Sequence, residues 1–209
     1  NNQSYKVKLM ADGRYWMVQD LKFGDKCNKE AFVGSTTDQT ISKLTSISGY
    51  IYGDCMNKTD GSTPGNRGYL YDWAAAIQKP GAYYGGTDVG CSGTGGASCQ
   101  GICPVGWHIP TGGSAGEYQA LHTAMTSAGC SGDATCWNAS SAWEGVLGGW
   151  CYTNGTLDHQ GSRAYYWSST YYDSNNAYFL RFLDLDSIVN PANYYYQSYG
   201  LSVRCVRNY

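Results

Sequence analysis

Residues 165–209 read YYWSSTYYDSNNAYFLRFLDLDSIVNPANYYYQSYGLSVRCVRNY. Two motifs frame this stretch: Trp167-Ser168-Ser169-Thr170 before, and Gly200-Leu201-Ser202-Val203-Arg204-Cys205-Val206-Arg207 after. Residues 177–184 alternate as a strand. Tyr178, Leu180 and Phe182 fall on one face and Phe179, Arg181 and Leu183 on the other, because successive strand residues point to opposite sides. Further strands are expected at about 164–168 and 201–207, giving this end of the chain a short antiparallel sheet. Nine of the twenty tyrosines lie between Tyr165 and Tyr199, among Asn, Ser and Asp. Tyrosine offers stiff contact area and one hydroxyl at little entropic cost, and the mixture is that of antibody-type binding loops. The chain therefore reads first as a recognition module.

Working upstream, Tyr5-Lys6-Val7-Lys8-Leu9 alternates as a half-buried strand. Asp12-Gly13 is a hairpin turn signal, and Tyr15 to Val18 is the returning strand. Residues 24–66 show little periodicity and are expected to be mostly loop. Residues 69–78 (YLYDWAAAIQ) predict a short helix on the strength of three alanines, ended by Pro80 and Gly81. A Gly-rich loop covers 81–101. Residues 103–111 (CPVGWHIPT) are compact and apolar around Trp107 and Ile109. A second helix is expected over 115–127, capped by Ser114 with Glu117 three positions on, the spacing of a capping box. Its inward face is Tyr118, Leu121, His122 and Met125. Residues 128–164 read as loop. Few helices, short antiparallel strands and many loops predict an α+β fold. With no linker and no internal repeat, residues 1–209 are expected to form a single domain.

Charged residues are 14% of the 209, well under the ~25% usual for soluble domains. Solubility must then come from Tyr, Ser, Thr, Asn and Gly, which suits an extracellular, cell-surface or virion-exposed protein. A formal charge of −2 provides no electrostatic reason to expect nucleic acid as a partner. No apolar run approaches the ~20 residues of a membrane span and no signal peptide opens the chain, so membrane attachment would need a separate anchor or carrier segment. Nine cysteines stand at 27, 55, 91, 99, 103, 130, 136, 151 and 205, with only three histidines. They form no paired CxxC units, so disulfides in an oxidising compartment are expected rather than zinc. Cys91 with Cys99, and Cys130 with Cys136, could close short loops. Cys27 with Cys55 could staple the first long loop, and Cys103 with Cys205 would tie the middle of the chain to its end. Cys151 is the candidate for the odd thiol. None of this connectivity follows from sequence alone.

Four motifs in order carry a resemblance: Gly68-Tyr69-Leu70-Tyr71-Asp72-Trp73-Ala74-Ala75-Ala76, Cys103 to Thr111, Trp167 to Thr170, and Ser202 to Arg207. With the opening Tyr5 to Leu21, they make the chain similar to the Fibrobacter succinogenes major paralogous domain. That family looks like a branch of the C-type lectin fold, which also includes the formylglycine-generating enzymes. The resemblance implies two helices beside a small twisted antiparallel sheet with long loops. It also implies a disulfide between a cysteine after the first helix and one in the last strand, here Cys103 and Cys205. A narrower resemblance covers Asn175 to Arg204-Cys205. This segment is similar to the variable region of bacterial or phage proteins diversified by retroelements, in which Asn codons scatter into Tyr, Asp, Ser, Phe and Leu.

The Tyr-rich segment has a plain alternative, since Tyr is a good strand residue at sheet edges. Three consecutive tyrosines cannot all face inward from a strand, so Tyr194, Tyr195 and Tyr196 must expose at least one ring. Such rings are typical interface anchors. The candidate ligand-binding residues are Tyr171, Tyr172, Phe179, Arg181, Leu183, Asp184, Asp186, Asn193, Tyr194, Tyr195, Tyr196 and Tyr199. Phe179, Arg181 and Leu183 are expected on the outward face, unless a loop covers them. Asp184, Asp186 and Asn190 are weak calcium candidates, three oxygens' worth of residues where calcium wants six to eight. No other cofactor is expected. The Glu-Pro-Asn, Gln-Pro-Asp and Trp-Asn-Asp motifs of calcium-dependent sugar-binding lectins are absent.

No catalytic activity is expected. His108, His122 and His159 lack a neighbouring nucleophile, and no cation adjoins Cys151 in sequence to lower its pKa. Trp73, Trp107 and Trp167 read as core. Trp137, Trp143 and Trp150 form either a second core or an aromatic sugar platform. The leading expectation is an adhesin-like module that binds a protein or cell-surface receptor. The alternatives are a pilin-like or cell-envelope subunit and a carbohydrate-binding module.

Overall fold

A computed structural model describes residues 4–22, 30–31, 50–52, 68–77, 99–130, 134–138, 142–152, 156–183 and 189–208. The chain opens with the expected hairpin, β1 (Val7–Leu9) antiparallel to β2 (Tyr15–Met17). Gly13 holds the turn at φ +79°, a left-handed position that glycine adopts without steric cost. The alternation of β1 has the opposite sense to a buried apolar row. Val7 and Leu9 face solvent, while Lys8 is half-buried and pairs with Glu144 at 2.6 Å.

The two ends of the chain meet in one sheet. β12 (Val206–Arg207) lies between β2 and β6 (Trp107–His108), with Val206 opposite both Trp16 and His108. The Cys103–Cys205 disulfide closes beside it, bridging a separation of 102 residues. Residues 200–206 are all buried. Their backbone partners change along the segment: Cys151 for Gly200, Tyr71 for Leu201, Tyr165 and Trp167 for Ser202, Leu21 for Val203, Met17 for Cys205. The strand expected over 201–207 is therefore regular only in its last two residues. No single neighbour runs alongside long enough to make a ladder.

Two helices differ from expectation at their starts. Leu70–Tyr71 form a short strand, β5, paired with β4 (Tyr50–Tyr52), which pairs with β3 (Glu30–Ala31). Two strands thus fall within residues 24–66, expected as loop. Helix α1 covers only Trp73–Ile77, and the Asp72 carboxylate accepts from Ala75 N at 2.8 Å. All five of its residues are buried, so it has no polar stripe and reads as a core helix. Helix α2 spans Glu117–Ser127. Ser114 does not cap it. Thr111 does, accepting from Glu117 N at 2.9 Å, while Thr111 N donates to the Glu117 carboxylate at 2.9 Å. This is the reciprocity of a capping box reached across a longer loop. Tyr118, Leu121 and Met125 are buried, each contributing about 1.5–3 kcal/mol. His122 is half-buried, its ring 6.1 Å from that of Trp137.

A third short helix, α3 (Ala134–Asn138), lies in the segment expected as loop, held by the Cys130–Cys136 disulfide. Two residues each make β7 (Trp150–Cys151) and β8 (Leu157–Asp158), which pair. The largest sheet is β9 (Arg163–Tyr171), β10 (Asn176–Leu183) and β11 (Val189–Tyr196), antiparallel in that order. Strand β11 was not among the expected strands, because Pro191 and two asparagines, Asn190 and Asn193, argue against one. Its place at the end of the sheet order removes that objection.

Trp137 and Trp143 are fully buried with Tyr118, Tyr166 and Phe182, forming the second core and not a sugar platform. Trp150 belongs instead to the first core with Trp73 and Trp167, and Trp107 is half-buried at its edge. Arg204 is buried beside Trp143 with its guanidinium 4.3 Å from the ring centroid. Its Nε donates to Asp20 at 2.5 Å, and Nη1 and Nη2 donate to the carbonyls of Trp143 and Glu144 at 2.6 and 2.8 Å. Among the described residues the fold is α+β, with three helices and several small antiparallel sheets. Among the described residues, no helix is long and apolar enough to cross a membrane.

Candidate ligand-binding face

The β9-β10-β11 sheet places the tyrosines, and its register decides which are open. On one face, Tyr178 sits opposite Tyr194. Tyr172 and Tyr194 stack with centroids 3.7 Å apart and planes 7° apart, and Tyr178 meets Tyr172 edge-on at 5.3 Å. Tyr171, Tyr172, Tyr194 and Tyr196 are all exposed, between 37% and 49%. The Tyr172 hydroxyl is held above its ordinary value, first by its contact with the Tyr194 hydroxyl. Tyr178 is held from behind by backbone. A Cβ on Gly112 would lie 2.5 Å from Tyr178 Cβ and 2.4 Å from Ser168 Oγ.

On the opposite face, Tyr165 pairs with Arg181, Trp167 with Phe179, and Phe179 with Asn193. A groove of about 340 Å³ opens here, lined by Trp150, Arg163, Tyr165, Phe179, Arg181, Asn193, Tyr194 and Tyr195. Trp150 organises its floor, stacked on Tyr165 at 5.0 Å and packed on Tyr195 at 4.8 Å and Tyr199 at 5.4 Å. Burial pushes the Tyr165 hydroxyl up, against a hydrogen bond from Arg163 and the charges of Arg163 and Arg181. The Tyr152 hydroxyl donates to Asp158 at 2.9 Å, which raises the phenol and lowers the carboxyl.

Two of the expected binding residues are corrected. Phe179 and Leu183 do not face outward; both are buried. Strand β10 is central, and Phe179 packs in the first core. Arg181, Asn193, Tyr195 and Tyr199 are half-buried. Asp184 and Asp186 lie outside the described residues, and with them two of the three calcium candidates. Asn190 is half-buried and its side chain accepts from Ala192 N at 3.0 Å. Among the described residues, no three His, Cys, Asp or Glu side chains are grouped to hold a metal ion. Sequence reading missed Trp150, Arg163, Tyr165 and Tyr178. Tyr178 was legible once β11 is known to pair across from it. Trp150 has no local signal, since it arrives from a two-residue strand.

The disulfides Cys103–Cys205 and Cys130–Cys136 form as expected and are compatible with an extracellular location. Cys99 is disulfide-bonded. Cys27, Cys55 and Cys91 lie outside the described residues, as do the pairings expected of them. Cys151 is a buried thiol donating to the Tyr152 carbonyl at 3.3 Å. His108 is a structural residue: its ring nitrogens lie 2.6 Å from Asn208 Oδ1 and 3.0 Å from each Glu117 oxygen. Burial pushes the Glu117 carboxyl up, but His108, the Thr111 N–H and Arg14 outweigh it and hold the carboxyl below its ordinary value.

No curated protein and no solved structure matches the chain. The family model of the Fibrobacter succinogenes major domain matches residues 10–207, nearly the whole length that carries the four motifs, the disulfide-closed end-to-end sheet and the tyrosine face. The chain belongs to the Fibrobacter succinogenes major domain family.

Proposed function

We propose that the chain is a surface-displayed ligand-binding module of C-type lectin-like fold that docks a protein or cell-surface receptor through its tyrosine face. The observation that carries this reading is the open stack of Tyr172 on Tyr194, both exposed, with Tyr171 and Tyr196 exposed on the same sheet. Exposed, pre-stacked rings lose little freedom on binding and make good interface anchors. Docking is non-covalent, with tyrosine anchors and a polar surround of Asp173 and Asn175. No catalytic step is proposed.

Tyr178, Tyr194 and Tyr196 of this face fall within the segment resembling a retroelement-diversified region, and Tyr171 and Tyr172 just precede it. We propose that its codons vary while the frame stays constant. Sequencing the gene from sibling isolates tests this: equal variation at codons 179–199 and 103–111 removes it. The docking reading is tested by labelling the chain and measuring its adhesion to a panel of intact cells. Alanine at Tyr172, Tyr194 and Tyr196 together should abolish adhesion while leaving the unfolding transition in place. A second reading, as a cell-envelope subunit, is favoured by one observation: β11 ends its sheet, and edge strands can pair with another copy. In that case the same substitutions would lower the oligomeric state seen by light scattering and leave cell adhesion unchanged.

A further inference from the structure

We propose that the groove beneath Trp150 reads a carboxylate, and that its occupant is an Asp or Glu side chain of the protein partner. This rests on the reading of the tyrosine face as a docking surface and names the chemistry that the partner brings to it. Arg163 and Arg181 both line the groove. Tyr165 lines it with them, and both arginine charges act on its hydroxyl. Arg181 stands directly across the strand pair from Tyr165, and its Nε is buried with no hydrogen-bond partner. Two like charges lining one groove repel, and a buried donor left unmade is costly.

Nothing in the described residues relieves this. The ion pairs involve Lys6, Lys8, Arg14, His108, His159 and Arg204, not Arg163 or Arg181. Asp158, the carboxylate that also acts on Tyr165, is occupied by the Tyr152 hydroxyl at 2.9 Å and by His159 N at 2.8 Å. An incoming carboxylate supplies the missing acceptor and charge together, and the guanidinium fork matches its geometry. The volume, about 340 Å³, sits at the low end for a small-molecule pocket and admits one or two side chains. Trp150, Tyr165 and Phe179 are buried, so none of these three rings offers an open face for a sugar to stack on. Tyr194 lines the groove and also belongs to the exposed stack, so one partner surface can reach both.

The test titrates the intact chain with N-acetylated hexaglutamate, following the arginine Nε–H resonances by NMR and the heat by calorimetry. The expected result is saturable movement of the Arg181 signal, none with hexaglutamine, and weakening as salt rises. Arg181→Gln should weaken binding about tenfold or more, and Arg181→Lys, which keeps charge but not the fork, should recover only part of it. A static Arg181 signal in the unmutated chain, or unchanged affinity in Arg181→Gln, overturns the proposal. Saturation by oligogalacturonate but not by hexaglutamate overturns it too, since the occupant would then be an acidic sugar. If hexaglutamate fails while the tyrosine substitutions still abolish cell adhesion, only the groove assignment falls. If those substitutions leave adhesion intact, the docking reading falls instead.

Discussion

Two aromatic clusters lie on the same face of the β9-β10-β11 sheet and differ in what covers them. At one end, Trp143 meets Tyr166 edge-on at 4.7 Å and Trp137 packs on Phe182 at 5.9 Å, under α2 and α3 and around the buried Arg204. At the other, Tyr172, Tyr178 and Tyr194 pack as tightly on one another, but Tyr172 and Tyr194 are exposed and the Gly112–Gly113 backbone lies behind Tyr178. Tyr178 shares its alternation on β10 with Leu180 and Phe182, so strand chemistry does not separate the two clusters. Cover does: rings in the sealed cluster hold the molecule together, whereas those in the open one are available to a second molecule.

The largest expected effect is in the sealed cluster. Trp143→Ala should cost about 3–5 kcal/mol in guanidinium unfolding, and a loss below about 1 kcal/mol would mean that the cluster is not the core described. Next comes the seam between the clusters. Gly112→Ala drives a Cβ into Ser168 and Tyr178 and should cost about 1–3 kcal/mol, with the intrinsic tyrosine fluorescence or near-UV signal changed. Unaltered stability would show that the open cluster is not held from behind.

A smaller effect is pH-dependent. Because the folded Glu117 carboxyl titrates below its ordinary value, its stabilisation is present above the unfolded value, about 4.3. It is lost as pH falls through the lower folded value. Stability of the unmutated chain should therefore decline between about pH 5 and 3 more steeply than that of Glu117→Gln. Parallel pH curves for the two would refute the assignment. Smallest in stability is Tyr194→Ala, under about 1 kcal/mol, paired with the loss of adhesion described above. A large drop in stability there would erase the distinction between the clusters.

Much of the frame was legible locally. The Asp12-Gly13 hairpin, α2 and its inward Tyr118, Leu121 and Met125, and the alternation of β10 all depend on neighbours within a few residues. Strand β11 was hidden because Pro191 and its asparagines speak against a strand unless it is known to be an edge. The helix α2 cap was misplaced because Thr111 reaches Glu117 across a loop whose path no spacing rule specifies. The exposure of Phe179 and Leu183 was misjudged because alternation gives two faces but not which one is covered.

The sequence by itself determined the family motifs, the α+β class and the crowding of tyrosine near the carboxy end. These are one-dimensional properties, fixed by composition, order and short-range stereochemistry. Only the tertiary structure decided which tyrosines stack in the open and that Trp150 builds a groove with Arg163 and Arg181. It also decided that residues 200–206 run buried, with backbone partners that change along the segment. Those outcomes depend on cover from distant segments, and burial is a property of everything that packs against a residue, not of the residue itself.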